Sequence, residues 1–328
     1  MPALNGSPLV SVVVVTFQSG QTLDRCLKAL RAQTIADFEV ILADNASSDG
    51  APEAAAGADP DLRLMPMGAN LGFAAANNRA AAAARGRWLV LLNPDAYPEP
   101  EWLAQLLACA DAHAEARCFT ARQLMAQDPR RLDGLGDAMT IIGFPYRAGH
   151  GRPDTGAGPA REVFSPCGAA MMIDRALFLA HGGFDESFFC YCEDVDLGYR
   201  LRLAGERVLV APQAVVLHEG SVSTGGRRSD FSLYHGARNR LWAYVKNTPP
   251  LLFRSALPLH LGVTLLLWIG GALRGEGRPI GRGLKDAVLG LGAVLAERRR
   301  LQDARRVTSA AIAARMVANP VRALRRKP

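Results

Sequence analysis

Leu9 to Val15 reads LVSVVVV, and no other stretch narrows the fold of this chain so much. A continuous β-branched run of this length suits a strand buried on both faces, as in a parallel sheet covered by helices. The flanking sequence keeps to that plan. A helical pattern runs from Thr22 to about Gln33, FEVILAD reads as a second buried strand ending at Asp44, and DLRLMPM offers a third. NLGFAAANNRAAAAARG, from Asn70, is a loop feeding an alanine-rich helix that stops at Gly86, and RWLVLLNPDA is a fourth strand ending in polar residues. Strand and helix alternate at βαβ spacing, which predicts a doubly wound, mostly parallel α/β sheet.

In open sheets of this kind ligands bind beyond the carboxyl ends of the strands. The residues there are Thr16, Phe17 and Gln18, then Asp44, then Asn93 and Asp95. Singly, each reads as a turn former or helix cap. Three such groups at one edge of one sheet point to a shared ligand. No GxGxxG follows the first strand and no GxxxxGK[ST] is present, so the ligand is not held by a glycine cradle. Carboxylates and amides at strand ends must hold it instead. A carboxylate beside a diphosphate repels it unless a divalent cation sits between them, and Asp95 is placed for that role.

Residues 121–161 are rich in Gly, Pro, Arg and Asp and read as long loops or a hairpin over a pocket. Order returns with a strand from Ala169 to Ile173, a helix capped by Asp174 and a Gly182–Gly183 turn. FFCYCEDVDLGYRLRLAG follows. A helix beginning near Glu193 sets Glu193, Asp194 and Asp196 in its first turn, where the macrodipole favours anions. Asp196 and Arg200 have i,i+4 spacing and can pair. Glu193 caps the helix or orients its neighbour. Asp194 has no partner in the sequence, which leaves a general base at a pocket edge or a solvated helix cap. Cys190 and Cys192 form a CxC with no second pair, so packing is the better reading than zinc. The six cysteines lack CxxC spacing and MPALNGSPLV is unlike a signal peptide, so reduced thiols in a cytosolic compartment are expected.

The chain resembles family-2 glycosyltransferases of the GT-A fold, a Rossmann-like nucleotide-sugar fold, and in particular their rhamnosyltransferase-like branch. The resembling segments are SVVVVTFQSGQTLDRCLKAL, ILADNASSDG, NLGFAAANNRA, LLNPDA, GGFDESFFCYCEDVDLGYRLRLAG and His218 in VVLHEG. The resemblance implies that Thr16 and Asp44 bind the nucleoside and that Asn70, Gly72 and Asn77 belong to a loop-helix facing the donor. It implies that Asp95 is the last acidic residue of a DxD-type metal motif, that Asp194 is the catalytic base, and that His218 helps to hold Mg²⁺ or Mn²⁺ or the diphosphate. Two positions depart from the family pattern. Asn93 stands where the metal motif has its first acid, and Gln18 stands where many relatives have Asn. The implied reaction is inverting transfer from a nucleotide-diphosphate sugar, best dTDP-rhamnose, to a hydroxyl of a saccharide or lipid-linked acceptor in bacterial cell-surface polysaccharide synthesis. The alternative is a non-catalytic nucleotide-sugar-binding subunit. Because the dipole stabilises an ionised Asp at a helix N-terminus, Asp194 is expected to be a weak base.

Residues 1–245 are therefore expected to form the catalytic domain and 246–328 a basic amphipathic helical extension. The formal net charge is +7, and the excess lies mostly after residue 270, in AERRRLQDARR and RALRRKP. Ser255 to Leu273 contains no Asp, Glu, Lys or Arg. An apolar stretch beside arginines suits a helix lying on an anionic membrane surface, with a span or re-entrant segment and a pack against the catalytic domain as the other readings, and the family resemblance adds the cytoplasmic face of the membrane as its place. The tail lacks interleaved aromatics and any nucleic-acid motif, so nucleic acid is not expected as a partner.

Overall fold

The computed structural model describes residues 7–220, 226 and 228–319. The first six residues, MPALNG, and the basic segment RALRRKP lie outside the described residues. The parallel half of the sheet is built from β1 (Val10–Thr16), β2 (Phe38–Asp44), β3 (Leu62–Pro66) and β4 (Trp88–Leu92), in the order β3-β2-β1-β4. β1 is buried along its whole length, as a central strand must be. Its side chains alternate between two cores. Val12 and Val14 pack against α1 (Gly20–Arg31) and α4 (Trp102–Ala112), while Val13 and Val15 face α3 (Gly72–Ala83). Ala74, Ala76, Ala80 and Ala81 of α3 join the second core, where small side chains let the helix lie close to the strands.

Of the other half of the sheet, the strand expected at Ala169–Ile173 is present as β11 (Ala170–Asp174), whereas β6 (Cys118–Met125) and β12 (Val208–His218) were not legible as strands. The three extend the sheet from β4, in the order β4-β11-β6-β12, with β11 antiparallel to its neighbours and β6 parallel to β12. Residues 121–125, expected in a loop, belong to β6. CFTARQLM mixes polar and apolar residues without a clean period, and Thr120 and Gln123 become fully buried only because tertiary neighbours cover them. The rest of the expected loop region is a pair of hairpins, β6 with β7 (Asp128–Gly134) and β8 (Asp137–Met139) with β9 (Pro145–Arg147). The result is a mixed α/β fold with a mostly parallel central sheet.

Asp174 does cap α5 (Arg175–Ala180), accepting from the Leu177 amide at 2.8 Å. α6 (Glu193–Ala204) starts where expected, but its N-cap is Cys192 in a left-handed conformation (φ 67°) and Glu193 is already helical. The C-terminal helices are α7 (Asp230–Asn247), α8 (Pro250–Ala272), α9 (Gly277–Leu289), α10 (Leu291–Asp303) and α11 (Ser309–Ala313). α7 runs through residue 245 and packs on α6. Lys246 and Asn247, both buried, reach Asp196, whose expected bond with Arg200 is also present at 2.8 Å.

Candidate active site

A cavity of about 650 Å³ opens at the carboxyl ends of β1 and β4, between the sheet, the hairpins and the head of α6. Of the residues singled out in the sequence, Phe17, Asn70, Gly72, Asn93, Asp95, Asp194 and His218 line it. Thr16, Gln18, Asp44 and Asn77 do not. Thr16 and Asp44 are register partners at the ends of β1 and β2, both buried, and Asp44 accepts from the Ser47 amide at 3.1 Å. Gln18 is exposed at φ 52° and donates to Ser48. The Asn77 amide turns back into its own helix and donates to the Phe73 carbonyl at 2.9 Å.

Asp194 sits in the first turn of α6. Its Oδ2 accepts from the Gly168 amide at 2.8 Å and its Oδ1 from the Val195 amide at 2.8 Å. The weak base expected from the helix dipole is not what the site makes. Burial, then the negative charge of Asp137, outweigh those two hydrogen bonds and the Arg147 cation, and the carboxyl is pushed up to about 6. The dipole is a local effect, whereas desolvation and Asp137 come from the tertiary structure. Glu193 beside it is raised well above the usual carboxylate range by burial and by Asp194, and its Oε2 is buried without a hydrogen bond.

Another part of the cavity wall is a carboxylate–imidazole chain. His218 Nδ1 is 2.9 Å from Asp133 Oδ2, and its Nε2 stands 3.4 Å from Asp95 Oδ1, buried and making no hydrogen bond. Burial would push the imidazole down, but Asp133 and Asp95 together lift it to about 9. Asp133 is held well below the usual range: burial raises it, and bonds from His150 and His218 and the Arg147 charge overcome that. Arg147, on β9, donates to Asp137 at 2.8 Å and lies 3.4 Å from Asp133, so one cation ties together the carboxylates of both hairpins. Asp133, Asp137 and Arg147 were missed in the sequence, where RLDGLGDAM and FPYRAGH carry no motif; only the hairpin pairing brings them to the cavity.

The segment leading into α6 is strained. Phe189, Tyr191 and Cys192 all have positive φ (64°, 71° and 67°), which costs a non-glycine residue of order 1–3 kcal/mol each. Phe189 at ψ −63° closes a γ-turn, with the Cys190 amide donating to the Phe188 carbonyl at 2.7 Å. Gly72 accounts for its own identity here. At φ 82° a Cβ would lie 2.6 Å from the Phe189 carbonyl oxygen, so only glycine lets α3 start against this segment.

Among the described residues, no group of three or more His, Cys, Asp and Glu side chains stands at metal-ligand spacing. All six cysteines are free thiols, and Cys190 and Cys192 pack beside Glu193 and Asp194 with their thiol pKa values raised by burial.

Comparison with known proteins fits this geometry. The family model described as glycosyl transferase family 2 matches residues 11–179. The N-acetylglucosaminyl-diphospho-decaprenol L-rhamnosyltransferase of Mycobacterium tuberculosis is 33% identical over 243 residues, covering 66% of this chain and 78% of that protein. The O-antigen biosynthesis protein RfbC of Myxococcus xanthus is 32% identical over 238 residues, covering 69% of this chain and 18% of that protein. The mannosyltransferase PcManGT from Pyrobaculum calidifontis, solved with GDP-Man and Mn²⁺, shares the fold at a TM-score of 0.56 and 21% identity, over 99% of this chain and 89% of that one. A nucleotide-sugar fold of the GT-A type, the family match across half of the chain and the similarity to a rhamnosyltransferase agree, and the protein belongs to glycosyltransferase family 2.

Proposed function

We propose that the protein transfers L-rhamnose from dTDP-rhamnose, with inversion, to a hydroxyl of a lipid-linked saccharide in cell-surface polysaccharide synthesis. The observation that carries this reading is that Asp95 and Asp194 line one cavity of about 650 Å³, large enough to take a sugar. The sugar and the lipid-linked acceptor are supported by the name of the mycobacterial relative. Asp194 is the base. Near neutral pH a carboxylate with a pKa of about 6 is mostly ionised, yet more basic than an ordinary one, which suits removal of the acceptor's proton as the new bond forms. The Gly168 and Val195 amides fix the carboxylate's direction. Phe189, Tyr191 and Phe231 wall that side of the cavity and keep water from the reacting carbon.

The carboxylate–imidazole part of the wall suits a divalent cation. Asp95 contributes oxygen and His218 a buried ring nitrogen without a hydrogen bond, while Asp133 on the other nitrogen supplies the carboxylate–histidine pairing typical behind a metal. Mg²⁺ or Mn²⁺ held there would neutralise charge on the leaving diphosphate. With one carboxylate and one imidazole the site is weak until the nucleotide adds its own oxygens, and binding at His218 must release the ring proton. Thr16, Gln18 and Asp44, beyond the cavity at the ends of β1 and β2, serve the nucleoside, and Asn70, Gly72 and Asn93 serve the donor end, while Asn77, expected there, is buried with its amide turned into its own helix.

The same reading puts the protein on the cytoplasmic face of a membrane. α8 has 23 residues with mean hydropathy 1.5 in its most apolar window, of which 17% is buried. Leu259, Leu265, Leu266, Trp268, Ile269 and Leu273 are exposed, and Arg254, Arg274, Arg278, Arg282 and Lys285 flank them. Exposed leucines beside cations suit the interface of an anionic bilayer. The whole reading is tested by incubating the protein with dTDP-rhamnose, UDP-sugars and GDP-mannose, with Mn²⁺ or Mg²⁺ and a polyprenyl-diphosphate N-acetylglucosamine acceptor. Rhamnosylated lipid of inverted anomeric configuration supports it. Transfer from another donor changes the sugar, and no transfer from any donor overturns it.

A further inference from the structure

The strained segment before α6 is tied to α7 by one side chain. Asn239 is fully buried, and its Nδ2 donates to the carbonyls of Phe188 at 2.9 Å, Cys190 at 2.8 Å and Tyr191 at 2.7 Å. Its Oδ1 accepts from Arg238 Nε at 2.8 Å, which fixes which end of the amide faces the segment. Arg238 Nη2 in turn donates to the Ser187 and Phe188 carbonyls, each at 3.0 Å. The remaining carbonyl, that of Phe189, accepts from the Ala74 amide of α3 at 3.1 Å. Left to itself, a chain with three non-glycine residues at positive φ relaxes. Here its carbonyls converge on one donor, and that convergence sets the direction in which α6 begins.

We propose that Asn239 is a positioning residue for the transfer step: its amide holds residues 188–192 on the one path that aims Asp194 into the cavity. The proposal rests on the reading of Asp194 as the base. Asn239 touches neither the cavity nor Asp194, and acts only through the backbone between them. It also gives α7 a task in catalysis.

The test uses the full chain. Asn239→Asp keeps the shape and removes the donors, setting an acidic oxygen against three carbonyls. The expected result is a kcat lowered by about tenfold to a hundredfold, as a small misplacement of a catalytic group produces. The donor KM should stay within about threefold, because the donor end is untouched. The acid limb of the kcat profile is read on Asn239→Ser, which adds no charge, and should move to lower pH, since a loosened segment admits water to Asp194. The charged and titratable groups facing Asp194 stay in place: Asp137, Arg147, Glu193 and the thiols of Cys167, Cys190 and Cys192. If kcat is unchanged, or if kcat, donor affinity and melting temperature all fall while the acid limb stays put, the proposal is overturned. Should Asn239→Asp show no cooperative melt, Asn239→Ser, which keeps one donor, is read in the same way. Asp194→Asn measured alongside separates the two ideas. Near-normal turnover there removes the base, whereas its inactivity beside a normal Asn239→Asp removes only the positioning role.

Discussion

Asp95, just beyond β4, and Asp194, in the first turn of α6, line a single cavity, although the sheet that joins them is assembled from strands far apart in the chain. The same cavity carries a carboxylate raised to about 6 and an imidazole raised to about 9. Such a split suits a base at the first group and an anion or cation site at the second.

Asp194→Asn should keep nucleotide binding and lose transfer by about a hundredfold to ten-thousandfold, the usual worth of a general base. Binding is read by calorimetry with the nucleotide diphosphate and transfer by product formation. Turnover close to wild type would take the proton-accepting role away from Asp194.

With Asp194 in the proposed role of base, its ionised form is the active one, and kcat should fall as pH drops through about 6. Asp137→Asn removes a neighbouring negative charge and loosens the Arg147 cation it holds. Loss of that charge favours the ionised base, so the acid limb should move to lower pH. A limb that stays in place, or rises, would show that another group controls it.

Asp95→Ala should abolish the gain in nucleotide affinity that Mn²⁺ confers. Asp133→Asn, which weakens the support behind His218, should reduce metal affinity by about tenfold to a hundredfold. Titration of the nucleotide diphosphate with and without Mn²⁺ reads both. Equal affinity in the two conditions for the wild-type protein would speak against a metal at Asp95.

Lys246 Nζ lies 3.0 Å from Asp196 Oδ2, and both residues are buried. Lys246→Met strands the carboxylate and should cost about 3 kcal/mol, the lower end for a broken buried pair, since Arg200 still reaches it. Asp196 is held below its usual 3.8: burial would raise it, but Lys246, Arg200 and Asn247 outweigh that. Its contribution is therefore present above the unfolded value and lost as pH falls through the lower folded one. Urea unfolding at neutral pH measures the loss, and a change below about 0.5 kcal/mol, typical of an ordinary surface substitution, would refute it.

Leu266→Asp with Leu273→Asp should release the protein from phosphatidylglycerol vesicles in a flotation assay while leaving it folded, because both side chains are exposed. Binding to neutral and anionic vesicles alike, unaffected by the substitutions, would place the contact elsewhere.

The parallel half of the sheet was legible because each strand carries its signal within itself: LVSVVVV, FEVILAD and RWLVLL are predominantly apolar runs of strand length. The edge position of Phe17, Asn93 and Asp95 followed from that, since topology alone sends strand ends to one side. Asp196 and Arg200 could be paired because one turn of helix brings i and i+4 together. What lies within a few residues, or repeats with a strand or helix period, was thus determined by the sequence. The hairpin residues Asp133, Asp137 and Arg147, the clamp made by Asn239, and the basicity of Asp194 were decided only by tertiary structure. A buried carboxylate's affinity for a proton depends on what the folded chain brings within a few ångströms of it, and no local pattern records those neighbours.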